Sequence, residues 1–138
     1  MSKSQLKKTI LITLNEFFLK KLLFNCDIIR AKVLAIAMSK NNHIISFACN
    51  RMCRNGKEPW SMHAEEALIS KLLKINARKR YKYIKLVIIR HSTKKGWTMA
   101  KPCEECSHKI DRFGFDEIYY TNSDGDFEKY FKQSETIT

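Results

Sequence analysis

The sequence has few residues that break regular structure and no apolar run that could cross a membrane. Only four glycines and two prolines occur among its 138 residues. Lysines and arginines interrupt the most hydrophobic region, so no stretch reaches the 18 or more apolar residues of a membrane span. The N-terminus lacks the compact apolar segment and small-residue cleavage site of a secretory signal. We therefore expect an intracellular, cytoplasmic protein that does not insert into a membrane.

The number and spacing of the cysteines argue against a disulfide-stapled fold. The five cysteines are odd in number and do not follow the spacing of a disulfide framework. Free thiols of this kind fit a reducing compartment. At this length the chain is expected to form one domain over residues 1–138 that buries about two thirds of its unfolded surface.

Acidic residues are absent between residues 67 and 103, a segment that holds eleven lysines and arginines. The whole chain carries a net charge of +12. A charge of this sign predicts a polyanionic partner, either nucleic acid or a phosphorylated small molecule. The alternative is compositional, because lysine outnumbers arginine 19 to 7 and such an excess of lysine can simply solvate the surface. Composition leaves both interpretations open.

Two short motifs carry the chemistry of the chain. His-Ala-Glu occupies residues 63–65, and Pro-Cys-Glu-Glu-Cys occupies residues 102–106. A catalytic zinc ion takes three nitrogen or sulfur ligands of the kinds found here and keeps a fourth position for water. Glu65, two residues after the histidine, is the candidate proton carrier. Three zinc ligands are predicted: His63, Cys103 and Cys106.

A closed structural site is an alternative interpretation of the same cysteines. Cys49 and Cys53 would join the two cysteines of the second motif in a four-cysteine zinc site and leave the first motif without a role. A zinc-free pair of motifs on an unrelated domain is another alternative. The alternation of polarity around Cys49 predicts a strand, which argues against the four-cysteine site.

The order His-x-Glu followed by Pro-Cys-x-x-Cys resembles the cytidine and deoxycytidylate deaminase superfamily. The resemblance covers roughly residues 31–125 and is diffuse outside the two motifs. It implies a resident Zn²⁺ and attack of zinc-activated water on the amine-bearing carbon of a base. It also implies that Glu65 moves the proton to the ring nitrogen and to the leaving ammonia. Superfamily members usually occur as oligomers, so a homo-oligomer is expected by analogy.

Hydrophobic periodicity agrees with the fold that the resemblance implies. The predicted element order is α-β-β-α-β-α-β, which describes an α/β protein, a three-layer α/β/α sandwich around a mixed sheet of four to five strands. The domain divides into an N-terminal helix over 4–24, a catalytic core over 31–121 and an acidic tail over 122–138. Strands are predicted at 31–39, 43–49, 85–91 and 117–121, helices at 63–76 and 103–114, and a loop at 50–61.

Five further residues are candidates for binding the substrate: Asn50, Arg51, Trp60, Trp97 and Lys101. The resemblance implies that Asn50 contacts the sugar or base, although a plain turn asparagine is an equally good interpretation. Each tryptophan lies in a loop that enters a helix with zinc ligands, so it would either stack on a base or pack in the core. Arg51 and Lys101 lie in the same loops and would bind a phosphate.

Details of the motifs narrow the implied substrate. Histidine at position 63, where free-cytidine deaminases carry cysteine, resembles deoxycytidylate, tRNA or nucleic-acid deaminases. The segment 100–125 looks more like compact deoxycytidylate-type deaminases of phages and large viruses. We therefore expect conversion of a cytosine moiety to uracil on a deoxycytidylate-like nucleotide, and a viral or phage protein acting in the host cell fits this expectation. Two alternatives stay open: a deaminase of single-stranded DNA or RNA, including tRNA, and a non-catalytic zinc module that binds nucleic acid.

Overall fold

The computed structural model describes Gln5, Lys8 and residues 32–55, 58–92 and 96–131, with the backbone alone over 51–62 and at two strand ends, Lys32 and Ser92. Gln5 and Lys8 are helical, and the rest of the helix predicted over 4–24 lies outside the described residues. The same holds for the tail after residue 131. In the described part of the chain, no helix has the length and apolar character that crossing a bilayer requires.

From residue 32 onward, the described residues form eight strands and three helices. The strands are β1 (Lys32–Met38), β2 (Ile44–Cys49), β3 (Arg51–Asn55), β4 (Glu58–Met62), β5 (Lys85–Ser92), β6 (Gly96–Thr98), β7 (Glu117–Thr121) and β8 (Phe127–Lys129). The helices are α1 (Ala64–Lys74), α2 (Ala77–Arg80) and α3 (Glu104–Phe113). The four predicted strands and the two predicted core helices all occur, with ends that differ by a residue or two from the expected positions.

β1 and β2 form an antiparallel hairpin whose turn follows from its asparagines. Asn42 adopts a left-handed backbone conformation with φ 64°, which asparagine tolerates better than most residues do. The amide of Ser39 donates to the carbonyl of His43 over 2.8 Å and closes the turn. The strands predicted at 31–39 and 43–49 therefore pair directly across this turn.

A mixed sheet organises the domain, as predicted. Its strand order is β2-β1-β5-β7-β8, and β6 also pairs with β5. β1 runs antiparallel to β5, whereas β5 and β7 are parallel because the chain crosses over through α3 between them. The C-terminal ends of β5 and β7 consequently lie at the same edge of the sheet.

Both faces of this sheet are buried, as expected for the middle layer of a sandwich. Leu86 and Ile88 of β5 lie in one apolar cluster with Leu68 of α1. Val87 and Ile89 lie in a second cluster on the opposite face. All five side chains are fully buried. The near-continuous hydrophobicity of β5 thus results from burial on two sides, which supports the predicted α/β fold.

The prediction of a loop over 50–61 is wrong, because this segment forms a second, two-stranded sheet. β3 and β4 pair antiparallel, with Met52 opposite Ser61 and Arg54 opposite Pro59. The segment shows no alternation of apolar and polar residues, and proline argues against a strand. A two-stranded ribbon outside the main sheet tolerates both features, since each strand is paired on one side only. The sequence pattern therefore carries no strand signal here.

The main sheet has six strands among the described residues, one more than the upper end of the predicted range. Two short strands, β6 and β8, lie where the sequence predicts a loop and an acidic tail. Each has three residues, which is too short for an alternating pattern to emerge. β8 pairs with β7 and buries Phe127 completely, so the core extends beyond the predicted end at residue 121.

Candidate metal centre

The two motifs lie at the N-termini of two helices, as the sequence predicts. His63 is the N-cap of α1 and Cys103 is the N-cap of α3, and both have the extended backbone of a cap residue. The sulfur of Cys103 accepts a hydrogen bond from the backbone amide of Cys106 over 3.5 Å. Unpaired amides and the helix dipole make such N-termini favourable for negative charge, including the charge of a thiolate.

The three predicted ligands come together in space. The Nδ1 atom of His63 lies 3.2 Å from Sγ of Cys106 and 3.7 Å from Sγ of Cys103. All three ligand atoms are within 4.8 Å of one another. In tetrahedral zinc, the usual bond lengths correspond to about 3.6 Å between nitrogen and sulfur and about 3.8 Å between two sulfurs. The donor set therefore fits Zn²⁺ in type, number and spacing.

Cys106 is the buried member of the group, whereas His63 and Cys103 are exposed. Burial raises the pKa of the Cys106 thiol, and the nearby Glu65 carboxylate and Cys103 sulfur raise it further. A divalent cation would compensate for this buried negative charge and favour the thiolate. The exposed side of the group leaves room for a ligand that does not come from the protein.

A cavity of about 230 Å³ opens beside His63 and Cys103. Glu65 also lines this cavity, although the residue is only 5% exposed. Burial is the largest influence on Glu65 and raises its pKa, while a backbone hydrogen bond and His63 act in the opposite direction. A buried carboxyl group beside a metal group and a cavity has the environment of a proton-transfer residue.

Glu66 follows Glu65 in the chain but lies outside the cavity. Its Oε1 atom forms an ion pair with Nζ of Lys109 on α3 at 3.2 Å, and the Cys106 thiol donates to the same oxygen over 3.9 Å. Glu66 therefore connects α1 with α3 behind the ligand group. Successive residues of a helix point about 100° apart, so Glu66 faces away from the cavity that Glu65 lines.

Two of the five predicted substrate residues, Asn50 and Lys101, line the cavity. Asn50 is fixed by two hydrogen bonds with the backbone of Val33. The Val33 amide donates to Oδ1 of Asn50 over 3.0 Å, and the Asn50 amide donates to the Val33 carbonyl over 3.1 Å. For Arg51 and Trp60 the backbone belongs to β3 and β4, while their side chains lie outside the described residues. Their roles stay predictions.

Arg90 lines the cavity as well, although it is not among the five predicted substrate residues. It is an exposed cation near the C-terminal end of β5, directly after four buried apolar residues. Its backbone amide donates to Oγ1 of Thr121 over 3.2 Å, which joins the ends of the two parallel strands. Ligands of open α/β sheets bind outside the carboxyl ends of the strands. The sequence signal that could have identified this residue was therefore an arginine near the C-terminal end of a predicted buried strand.

Trp97 lies away from the cavity, which corrects the prediction that it stacks on a base. Its ring packs edge-on against Phe127 with a centroid distance of 5.7 Å, in the apolar cluster on the face opposite α1 and α3. The reason is that Trp97 belongs to β6 and pairs with His91 of β5. The alternation of side chains along a strand turns the indole to that face. Its alternative interpretation, packing in the core, is the correct one.

The four-cysteine alternative is not supported either. Cys49 packs against the apolar cluster on the opposite face of the sheet. Among the described residues, the group that could hold a metal ion consists of the histidine and the two cysteines of the motifs. The side chain of Cys53 lies outside the described residues.

A mixed sheet with helices packed on it, and a His-Cys-Cys group where two helices begin, define a zinc-binding α/β protein. The family model of the cytidine and deoxycytidylate deaminase zinc-binding region matches residues 19–122, and the chain belongs to this family. The match confirms the predicted resemblance and, with the ligand group, the Zn²⁺ cofactor. Membership identifies the chain as a zinc-dependent hydrolase in general terms. A comparison with curated proteins finds no match.

Proposed function

We propose that the protein catalyses the zinc-dependent hydrolytic deamination of a cytosine moiety to uracil, with release of ammonia, on a deoxycytidylate-like nucleotide. The observation that carries this proposal is the position of Glu65. It is a buried carboxyl group on the wall of the cavity that His63 and Cys103 also line. A structural zinc site is closed by four protein ligands and has no use for an uncoordinated carboxyl group on an open side.

The proposed chemistry assigns one task to each residue. His63, Cys103 and Cys106 would hold Zn²⁺, which supplies a Lewis acid that lowers the pKa of water from 15.7 to about 7. Glu65 would accept a proton from the attacking water and transfer it to the ring nitrogen of the base. Glu65 would then deliver the second proton of that water to the amine as the C–N bond breaks, so that ammonia leaves and the water oxygen becomes the carbonyl oxygen of uracil.

Positive charge on the cavity wall favours a substrate with a phosphate. Arg90 and Lys101 both line the cavity and both are exposed. A mononucleotide needs one or two such cations, whereas a polynucleotide would use many. Asn50, held in place by the backbone of Val33, would contact the sugar or the base from the same wall. We infer a substrate whose base enters beside Glu65 and whose phosphate stays at the exposed rim.

The proposal is tested by an ammonia-release screen of the zinc-loaded protein. Cytidine, deoxycytidine, CMP, dCMP, guanine, adenosine and oligonucleotides serve as substrates, and a zinc-loaded Glu65→Gln variant controls for contaminating activity. We expect the highest kcat/KM with dCMP and release by the variant that is slower by about a hundredfold or more. Release from none of the cytosine compounds would contradict deamination of cytosine, and a higher kcat/KM with oligonucleotides would contradict the nucleotide preference.

Deamination of single-stranded DNA or RNA, including tRNA, is the second candidate, and the charge of +12 favours it. Lys79, Arg80 and Lys82 are exposed, but they follow the C-terminal end of α1, whose N-terminal end carries His63. The length of that helix, about 16 Å, separates these cations from the ligand group. Only a long strand would reach both, so the dependence of activity on salt and on these charges distinguishes the two candidates. A non-catalytic zinc module that binds nucleic acid would retain zinc and lack turnover altogether.

A further inference from the structure

A second cavity, of about 430 Å³, lies at the edge of the sheet opposite the metal centre. Lys85 and Glu117, which line it, are the first residues of the parallel strands β5 and β7, whereas Arg90 and Thr121 lie toward the ends nearer the ligand group. None of its lining residues belongs to the proposed catalytic site. They are Lys40, Asn42, Tyr83, Lys85, Glu117, Tyr119 and Lys129.

A buried lysine lines this cavity. Lys85 is 5% exposed, and its Nζ atom donates a hydrogen bond to Oδ1 of Asn42 in the turn between β1 and β2. Burial lowers the pKa of Lys85, and the negative charge of Glu117 acts in the opposite direction. A buried charge is costly unless it is compensated, and lysine is rarely buried to this extent. Anionic partners near Lys85 would therefore stabilise its charged form.

Glu117 supplies only part of that compensation. The hydroxyl of Tyr119 donates to its Oε2 atom over 2.7 Å, and Tyr83 also lines the cavity. Lysines at positions 40 and 129 add two further ammonium groups, both on exposed residues, to the cavity wall. The described lining residues thus carry three positive charges and one negative charge, and the carboxylate of Glu117 already accepts a hydrogen bond from Tyr119.

We propose that this cavity is a second ligand site, separate from the metal centre, that binds a small phosphorylated anion. A net charge of two on its wall matches the two negative charges of a phosphate monoester. Ammonium groups are common phosphate ligands in proteins. The volume is within the range of small-molecule sites. A small ligand fits better than a polynucleotide, because Lys85 is buried inside the concavity and the phosphates of a long strand would meet only the exposed lysines. The proposal does not depend on the deaminase reaction.

Inorganic phosphate, the group that all such ligands share, is the probe. We would titrate it into the zinc-loaded, isotope-labelled full chain and follow the backbone amide signals by NMR. Saturable shifts are expected at Lys85 and Tyr119. Lys129→Gln removes a charge from an exposed residue and should raise the phosphate Kd about tenfold, and Lys85→Met should do the same, since each loses one charge-assisted hydrogen bond. If Lys85→Met fails to fold, Lys129→Gln carries the test.

Two control variants test whether the change in the phosphate Kd is specific to this cavity. Lys79→Gln removes the same charge from an exposed position outside the cavity, and Lys101→Gln removes one from the cavity beside the metal centre. Neither should change the Kd measured at Lys85 and Tyr119. The proposal is overturned if phosphate produces no saturable shift at these two residues, or if Lys79→Gln weakens binding as much as Lys129→Gln does. A single-stranded oligonucleotide that shifts the same signals when phosphate does not would overturn it as well.

Discussion

Nδ1 of His63 lies 3.2 Å from Sγ of Cys106, although the two residues are 43 positions apart in the chain. His63 begins α1 and Cys106 lies in the first turn of α3, and the sheet to which both helices pack brings these two N-termini together. The ligand group therefore exists only in the folded chain. Binding of zinc and stability of the fold should accordingly be coupled.

Removal of a cysteine ligand tests this coupling. Cys103→Ala and Cys106→Ala should each lose the bound zinc and lower the Tm, because a metal that binds only the folded state contributes to its stability. Metal content by elemental analysis and thermal unfolding with and without chelator are the measurements. Cys49→Ala, which changes a cysteine on the opposite face of the sheet, should keep one zinc per chain. A folded double variant of the two motif cysteines with wild-type zinc affinity would falsify the ligand assignment.

The two adjacent glutamates provide a matched pair. Glu65→Gln should keep the fold and the zinc yet lower kcat by about 10²- to 10⁴-fold, the usual contribution of a general acid–base group. Glu66→Gln should retain most of the turnover, because an amide oxygen can still accept a hydrogen bond from Lys109. Steady-state kinetics of the two zinc-loaded variants show which of the two glutamates takes part in proton transfer. Equal losses would mean that the wrong carboxyl group has been chosen.

Arg90 and Lys101 should determine the preference for a phosphorylated substrate. Arg90→Gln and Lys101→Gln are each expected to lower kcat/KM for dCMP by about ten- to a hundredfold, the value of a charge-assisted hydrogen bond. Activity on deoxycytidine, which has no phosphate, should change little. Lys79→Gln is the control for a general loss of positive charge. An equal loss on the nucleotide and the nucleoside would show that neither cation binds the phosphate.

The dependence of binding on salt, and of turnover on the distal cations, distinguishes a nucleotide substrate from a nucleic-acid substrate. Binding of a polynucleotide that neutralises six or more phosphates should weaken about a thousandfold between 50 and 200 mM salt, whereas a mononucleotide should weaken only modestly. Reversal of three distal cations, Lys79, Arg80 and Lys82 to Glu, should leave dCMP turnover nearly intact, because they lie beyond a Debye length of about 10 Å. Arg78 is kept, since it forms an ion pair with Asp116 at 3.2 Å. A steep salt dependence with a large loss in the reversed variant would favour the nucleic-acid deaminase.

Two glycines with left-handed backbones should differ in their tolerance of alanine. Gly125 has φ 80°, and an added Cβ would lie 3.0 Å from the carbonyl oxygen of Trp97. Gly114 has φ 83° but meets nothing within 4 Å. Gly114→Ala should cost about 1–2 kcal/mol from backbone conformation alone. Gly125→Ala should cost more, because the clash is added. Denaturant unfolding measures both, and equal costs would show that the loop of Gly125 yields without penalty.

Local sequence signals predicted most of the regular structure of the core because they act over short distances. Leu86, Val87, Ile88 and Ile89 form a continuous apolar run that indicates a strand buried on both faces, and this is where β5 lies. The C-terminal end of α3 coincides with Gly114, whose φ of 83° suits the C-cap of a helix. Hydrophobic alternation did not predict β3, β4, β6 and β8. These strands are short or pair with only one neighbour, so they are stabilised by their partner strands and not by their own periodicity.

The sequence by itself determined the metal chemistry of this protein. Imidazole and thiol side chains at residues 63, 103 and 106, in this order, identify the zinc ligands by their type and spacing. Only the tertiary structure decided which other residues surround the metal centre. Arg90 lies at the cavity and Trp97 on the opposite face, because the pairing of β5 with its neighbours sets the direction of each side chain. Residue type decides what a side chain can bind, whereas strand register and helix position decide what it meets.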